Sequence, residues 1–191
     1  MSTSQRPILS FAAGYHLRAR PLCDGRVNMK NFELKAVPFE NDGYGHEQFL
    51  AAKFDAGEFS LANYCALKSR GEPYMAIPVF PNRKFRHSYI FVRDDSPLTE
   101  PVQLKGKKVG ISGWLNTCGL WVRGILSDEF GVKAQDIHWI TPRSAKFDLS
   151  LPTGTRLDVV PGEGSLGARL MKGEFDAIIV PDFPLEKGWR R

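Results

Sequence analysis

The order in which apolar patterns change their period limits most sharply what this chain can fold into. Residues 7–13, PILSFAA, make a short apolar run, and residues 32–39, FELKAVPF, alternate between faces. Both predict strands. A helical stripe follows in GHEQFLAAKFDAG, with Phe49, Leu50 and Phe54 on one face and Gly57 as the expected stop. SLANYCALKSRG predicts another helix, with Ser60 as N-cap and Gly71 closing it. YMAIPVF and HSYIFVR return to strand character. A polar, Pro-containing stretch, DDSPLTEPVQLKGKK (94–108), interrupts the pattern, which then restarts. Its second half runs strand KVGIS, helix TCGLWVRGILSDEFG, strand IHWIT, strand RLDVVP, helix SLGARLMKG, strand FDAIIVP.

Strands alternating with helices pack as mostly parallel sheets with flanking helices. The expected class is therefore α/β, in two lobes: residues 1–93, a crossing linker at 94–104, and residues 105–191. Ligands in such folds occupy the crevice at the strands' carboxyl ends and the cleft between lobes.

A net charge of +5 across 191 residues points to an anionic partner. Lys and Arg are spread along the chain, without a basic tail or a nucleic-acid signature, so a small anion is favoured over DNA or RNA. Cys23, Cys65 and Cys118 are odd in number and far apart, which argues against a disulfide framework and a structural zinc site. The four histidines, at 16, 46, 87 and 138, share no metal-ligand spacing. His46 is expected on a helix surface and His138 on a strand. The N-terminus lacks the pattern of a secretory signal, and no apolar run approaches the ~20 residues of a membrane span. No membrane partner and a cytoplasmic location are the expectation; the oligomeric state is left open.

Three local motifs bear on chemistry. GEGSLG places Gly162, Gly164 and Gly167 in dinucleotide-site spacing between a strand and a helix, with Asp182 at the end of the next strand. It lies far from an opening βαβ unit, and a plain strand–helix turn explains it as well. GWLNTCGLWVRGIL (113–126) admits two readings. In one it is a capped amphipathic helix with Trp121 in the core. In the other, Asn116, Thr117 and the free helix amides receive a carboxylate while Trp114 stacks on a ring. The third motif, VFPNRKFRHSYIFV (79–92), crowds Arg83, Lys84, Arg86 and His87 between two apolar runs. Arginine offers a planar fork to carboxylates, and histidine titrates near neutrality. This knot is the expected anion site. Ser88 has no base partner beyond its neighbour His87, and no nucleophile elbow occurs.

The strings IPVFPNRKFRHSYIFVR, KGKKVG, LWVRGILSDEFGV, DIHWIT and GEFDAIIVP, in this order, resemble the 4,5-dihydroxyphthalate decarboxylase family; RPLCDGRV (20–27) and AGEFSLANY (56–64) are similar to its N-terminal motifs. The likeness runs over nearly the whole chain. It implies a type 2 periplasmic-binding-protein-like fold and cofactor-independent decarboxylation of a hydroxylated aromatic dicarboxylate in aromatic catabolism. His87 is then the expected general acid and Arg86 its catalytic neighbour. Arg83 helps clamp the remaining carboxylate, and Ser60, Tyr64, Ser88, Trp114, Asn116 and Thr117 line the substrate. No metal or cofactor is implied, since the hydroxylated ring serves as its own electron sink. The chain departs from the family at GYHLRAR (14–20), at Leu115 and at Ala62-Asn63. Family members also continue well beyond GWRR, so the first lobe is expected to lack a returning segment. Two rival readings remain: a solute-binding protein for a small carboxylate, and an inactive shortened relative.

Overall fold

The structure is a computed structural model that describes residues 6–14, 16–39, 53–145, 150–184 and 186–191. The predicted helix carrying Phe49 and Leu50, and His46 with it, lies outside these residues.

Two sheets carry the fold. The first has three parallel strands in the order β2-β1-β3: β1 (Ile8–Gly14), β2 (Glu33–Phe39) and β3 (Ala56–Gly57). In register, Phe11 stands between Ala36 on one side and Ala56 on the other. Between β1 and β2 sits a short helix, α1 (Arg20–Cys23), and after β3 comes α2 (Leu61–Ser69). Gly57, expected as a helix stop, is instead the last residue of β3. Gly71 does close α2, as its φ of 79° is one that glycine adopts without strain.

The second sheet has six strands in the order β7-β6-β5-β8-β4-β9. They are β4 (Ile90–Arg93), β5 (Lys108–Ile111), β6 (His138–Thr141), β7 (Arg156–Val159), β8 (Ala177–Ile179) and β9 (Trp189–Arg190). The β7-β6-β5-β8 block is parallel, and β4 runs antiparallel to both β8 and β9. Helices α3 (Thr117–Phe130) and α4 (Leu166–Met171) complete this lobe. The buried apolar cluster belongs to it: Phe91, Val109, Ile111, Leu126, Trp139 and Ile178 are all essentially inaccessible. At about 25 cal/mol per Å2 of apolar surface removed from water, this cluster is the main source of the lobe's stability.

Two expected boundaries move. The first lobe is expected over residues 1–93, yet β4 pairs Phe91 with Ile178 and Val92 with Arg190 inside the second sheet. The stretch 94–104 is not a free linker either. Residues Pro101–Leu104 form a 3-10 turn capped reciprocally by Glu100 and Gln103, and Leu104 is buried in the second-lobe core. The chain therefore passes between the sheets ahead of residue 90. YMAIPVF forms no strand: Met75, Ile77, Val79 and Phe80 are exposed, and Pro78 has no amide to give a ladder.

Candidate functional site

Helix α3 fixes the centre of the site. Asn116 caps it, its side-chain oxygen accepting from the amides of Cys118 (2.9 Å) and Gly119 (3.3 Å), and Gly131 ends it in a left-handed conformation. The next residue, Thr117, meets the first lobe. Its hydroxyl is 2.8 Å from that of Ser60 and accepts from the amide of Ala62 at 3.3 Å. The first turns of α2 and α3 thus face one another across the two sheets.

The knot lies against the same helix start. Arg86 sits beside the Cys118 thiol and over the Tyr89 ring, with 5.0 Å from guanidinium carbon to ring centre. Burial pushes that thiol's pKa up more strongly than the Arg86 charge and hydrogen bond pull it down. Arg86 Nη1 is buried with no hydrogen-bond partner. Lys84 reaches Asp182 at 2.9 Å and the Pro181 carbonyl at 3.5 Å. Asp182 and Val180 also line a cavity of about 350 Å3 at the carboxyl ends of the second sheet, together with Ser112, Pro142 and Arg143. Ser112 Oγ is buried there without a partner. Arg86 at the helix start and Arg143 on the cavity wall are cationic groups of the kind that suits a carboxylate-bearing ligand, while Lys84 is already paired with Asp182.

The expected residues divide into those the fold gathers and those it separates. Ser60, Thr117, Asn116 and Arg86 come together at the α2–α3 junction. Tyr64 is half-buried one turn along α2, its amide bonded to the Ser60 carbonyl at 2.9 Å. Arg83 is exposed and Ser88 partly buried. His87 goes elsewhere: its Nε2 is 3.0 Å from Glu129, near the opposite end of α3, and both side chains are more than half exposed. Trp114 is not free to stack on a ligand. It is 8% exposed, edge-on to Trp139 at 6.0 Å, and covered by the Arg123 guanidinium 3.8 Å from its ring centre. Arg123 also donates to the Trp114 carbonyl at 2.7 Å, and burial lowers its pKa to about 10. Trp121, expected in the core, is 55% exposed. The two tryptophans have exchanged the environments anticipated for them.

The glycine motif is accounted for by internal packing. Gly164 has φ +83°. A Cβ at Gly162 would meet the Arg169 guanidinium at 2.7 Å, and one at Gly167 would overlap the Glu186 carboxylate. Ser165 caps the six-residue α4 through the Ala168 amide and bonds Glu186 as well. Asp182, at the end of the strand that follows the motif, is paired with Lys84. Glu186 thus occupies the place a pyrophosphate would need.

One pair escaped the sequence reading. His16 Nε2 lies 2.8 Å and 3.0 Å from the two Glu58 oxygens, with both side chains partly buried. His16 follows the carboxyl end of β1, and Glu58 follows that of β3. Gly14 makes room for them, since a Cβ there would stand 3.2 Å from the imidazole. The signal available in the sequence was position alone, a titratable residue just past each of two parallel strands.

No family model matches the chain. It is 37% identical over 183 residues to a 4,5-dihydroxyphthalate decarboxylase of Comamonas testosteroni, covering 92% of this chain and 56% of that protein. To a 4,5-dihydroxyphthalate decarboxylase of Pseudomonas putida it is 35% identical over 183 residues, covering 92% of this chain and 71% of that one. The chain thus spans a little over half the length of the first relative. Among solved structures it resembles the periplasmic aliphatic sulphonate binding protein SsuA of Escherichia coli, with TM-score 0.64 at 19% identity over 97% of this chain and 60% of that one. The alkanesulfonate-binding protein SsuA of Xanthomonas axonopodis pv. citri, bound to MOPS, gives TM-score 0.57 at 14% identity over 93% of this chain and 55% of that one. The fold is that of the periplasmic binding proteins, and the chain belongs to the 4,5-dihydroxyphthalate decarboxylase family.

Proposed function

We propose that this protein decarboxylates a hydroxylated aromatic dicarboxylate of the 4,5-dihydroxyphthalate kind. The supporting observation is Arg86, whose buried Nη1 has no partner at the junction where α2 and α3 meet. A buried guanidinium nitrogen with an open bond is costly unless an anion completes it. The ring carboxylate that stays on the product is the anion for that bond. Ser60 and Thr117 stand at the same junction to receive phenolic oxygens. Purified protein incubated with 4,5-dihydroxyphthalate is expected to release carbon dioxide, and Arg86→Ala to weaken binding by roughly 2–5 kcal/mol, as loss of one partner of a buried charge pair does. Unchanged affinity in that variant removes Arg86 from the site.

A second reading, carboxylate capture without chemistry, is favoured by one observation: His87 is turned to Glu129, away from Arg86's end of α3. Binding without carbon dioxide release selects it, since one fold serves both capture and catalysis.

A further inference from the structure

The second-lobe cavity is walled by the segments that follow three neighbouring strands. Ser112 follows β5, Pro142 and Arg143 follow β6, and residues 180–183 follow β8. In the sheet, β5 lies between β6 and β8. Neighbouring strands stand about 4.8 Å apart, so the segments carrying Arg143 and Asp182 leave the sheet about 10 Å apart, with Ser112 between them. The volume, about 350 Å3, is that of a small-molecule site.

The polar groups on this wall are unequally satisfied. Ser112 Oγ is buried and has no hydrogen-bond partner. Of the two arginines on the wall, Arg169 is held by Glu174 at 2.7 Å and by the Val160 carbonyl at 3.2 Å. Arg143 is exposed, and its guanidinium bonds none of the described residues. Two carboxylates stand after β8. Asp182 takes the Lys84 ammonium on Oδ1 at 2.9 Å, and Glu186 accepts the Ser165 hydroxyl. A carboxylate has about four acceptor sites, so Asp182 has room for a further hydroxyl donor. Phe183, Pro142 and Pro184 give the lining apolar walls. Phe183 is fixed by near-parallel contacts with Tyr89 at 5.9 Å and Trp189 at 6.1 Å.

We propose that this cavity binds a hydroxylated aromatic monocarboxylate, its carboxylate on Arg143 and Ser112 and a ring hydroxyl on Asp182. One unpaired guanidinium takes one carboxylate. The aromatic ring fills the apolar middle, and a ring with a carboxylate at one end and a hydroxyl at the other bridges the gap between the two segments. A second carboxylate on the ligand would meet Asp182 and Glu186, so like charge selects against dicarboxylates. The inference concerns binding and does not depend on turnover. Under the decarboxylase reading it gains a further meaning. When 4,5-dihydroxyphthalate loses one carboxylate as carbon dioxide and takes a proton in its place, 3,4-dihydroxybenzoate remains, a member of this class. The cavity then receives product next to the α2–α3 junction, since the Cys118 thiol in the first turn of α3 donates to the Val180 carbonyl at 3.5 Å.

Calorimetry with 3,4-dihydroxybenzoate on wild type, Arg143→Ala, Arg143→Lys, Ser112→Ala and Arg86→Ala is the test. Arg143→Ala is expected to weaken binding about 10- to 100-fold, the worth of a hydrogen bond to a charged group. Arg143→Lys should lose less, because the charge stays while the planar fork goes. Ser112→Ala is expected to lose about two- to tenfold without lowering the unfolding midpoint of the unliganded protein, as its hydroxyl has no bond to lose. Arg86→Ala should keep wild-type affinity for 3,4-dihydroxybenzoate and bind 4,5-dihydroxyphthalate at least tenfold more weakly than that. Arg143→Ala within threefold of wild type overturns the site. Equal losses in Arg86→Ala and Arg143→Ala place the ligand at the helix junction and overturn it too. Wild type that fails to bind at millimolar 3,4-dihydroxybenzoate also overturns it, and carbon dioxide release from 4,5-dihydroxyphthalate in the same preparation then leaves the decarboxylase reading standing.

Discussion

The two sheets differ in what holds them. The second lobe buries Phe91, Ile111, Leu126, Trp139 and Ile178 in one apolar cluster. Among the described residues, the buried apolar ones of the first are Ala12, Ala13, Ala19, Ala62 and Leu67, mostly small side chains that remove little surface from water. Polar ties do more there. Asp55 Oδ2 accepts from the Ser10 amide at 2.8 Å and from its hydroxyl at 2.6 Å, joining β1 to the approach of β3. Among the described residues, one lobe is closed by packing and the other by mostly small side chains and a few directional bonds, so the groups that the first lobe brings to the junction stand on the softer support.

The contrast can be broken by experiment. Trp139→Ala, at a fully buried site, is expected to cost about 3–5 kcal/mol in urea unfolding of the second lobe. A loss below 1 kcal/mol would show that the cluster is not what stabilises it. Gly110→Ala brings a methyl to 2.9 Å from the Phe175 ring and 3.1 Å from Ile178, and overpacking of this kind costs about 1–3 kcal/mol. Asn116→Ala removes the α3 cap at about 1 kcal/mol, read as a lower unfolding midpoint. The smallest effect is a local one in the first lobe. The Ser10 hydrogen bonds hold the Asp55 carboxyl below the usual carboxylate range. Their contribution is therefore present above that range and lost as pH falls through the lowered folded-state value. Ser10 amide exchange should quicken over that window, and Asp55→Asn should abolish the pH step. An equally acid-sensitive exchange at Ile111 would erase the distinction between lobes. Asp158 is no confusion here, because its own lowered value comes first from His138, at the β6–β7 edge.

Much of the fold was legible because it depends on local chemistry. Asn116 and Gly131 bracket α3 as their types predict, and β1, β2, β5 and β6 lie on their apolar runs. What failed depends on partners distant in sequence. YMAIPVF alternates like a strand, but alternation becomes a strand only when a neighbour accepts its ladder, and among the described residues none does. Trp114 and Trp121 are equally apolar. Which one is buried was decided by Arg123, whose side chain lies over one ring and bonds that residue's carbonyl. The cationic knot was legible as a cluster of charges, whereas the direction of His87 depended on Glu129, 42 residues on. His16 and Glu58 are likewise 42 residues apart, and no spacing rule connects them.

The position of β4 has a kinetic consequence. Its neighbours on both sides, β8 and β9, are made near residues 178 and 190. Phe91 and Val92 must therefore wait through the synthesis of β5, α3, β6, β7 and α4 before either has its ladder. Such long-range closure slows folding and leaves an apolar strand open to other chains meanwhile. The strand that leads out of the cationic knot is thus among the last elements to be secured, and the knot takes its final place only when nearly all of the second lobe exists.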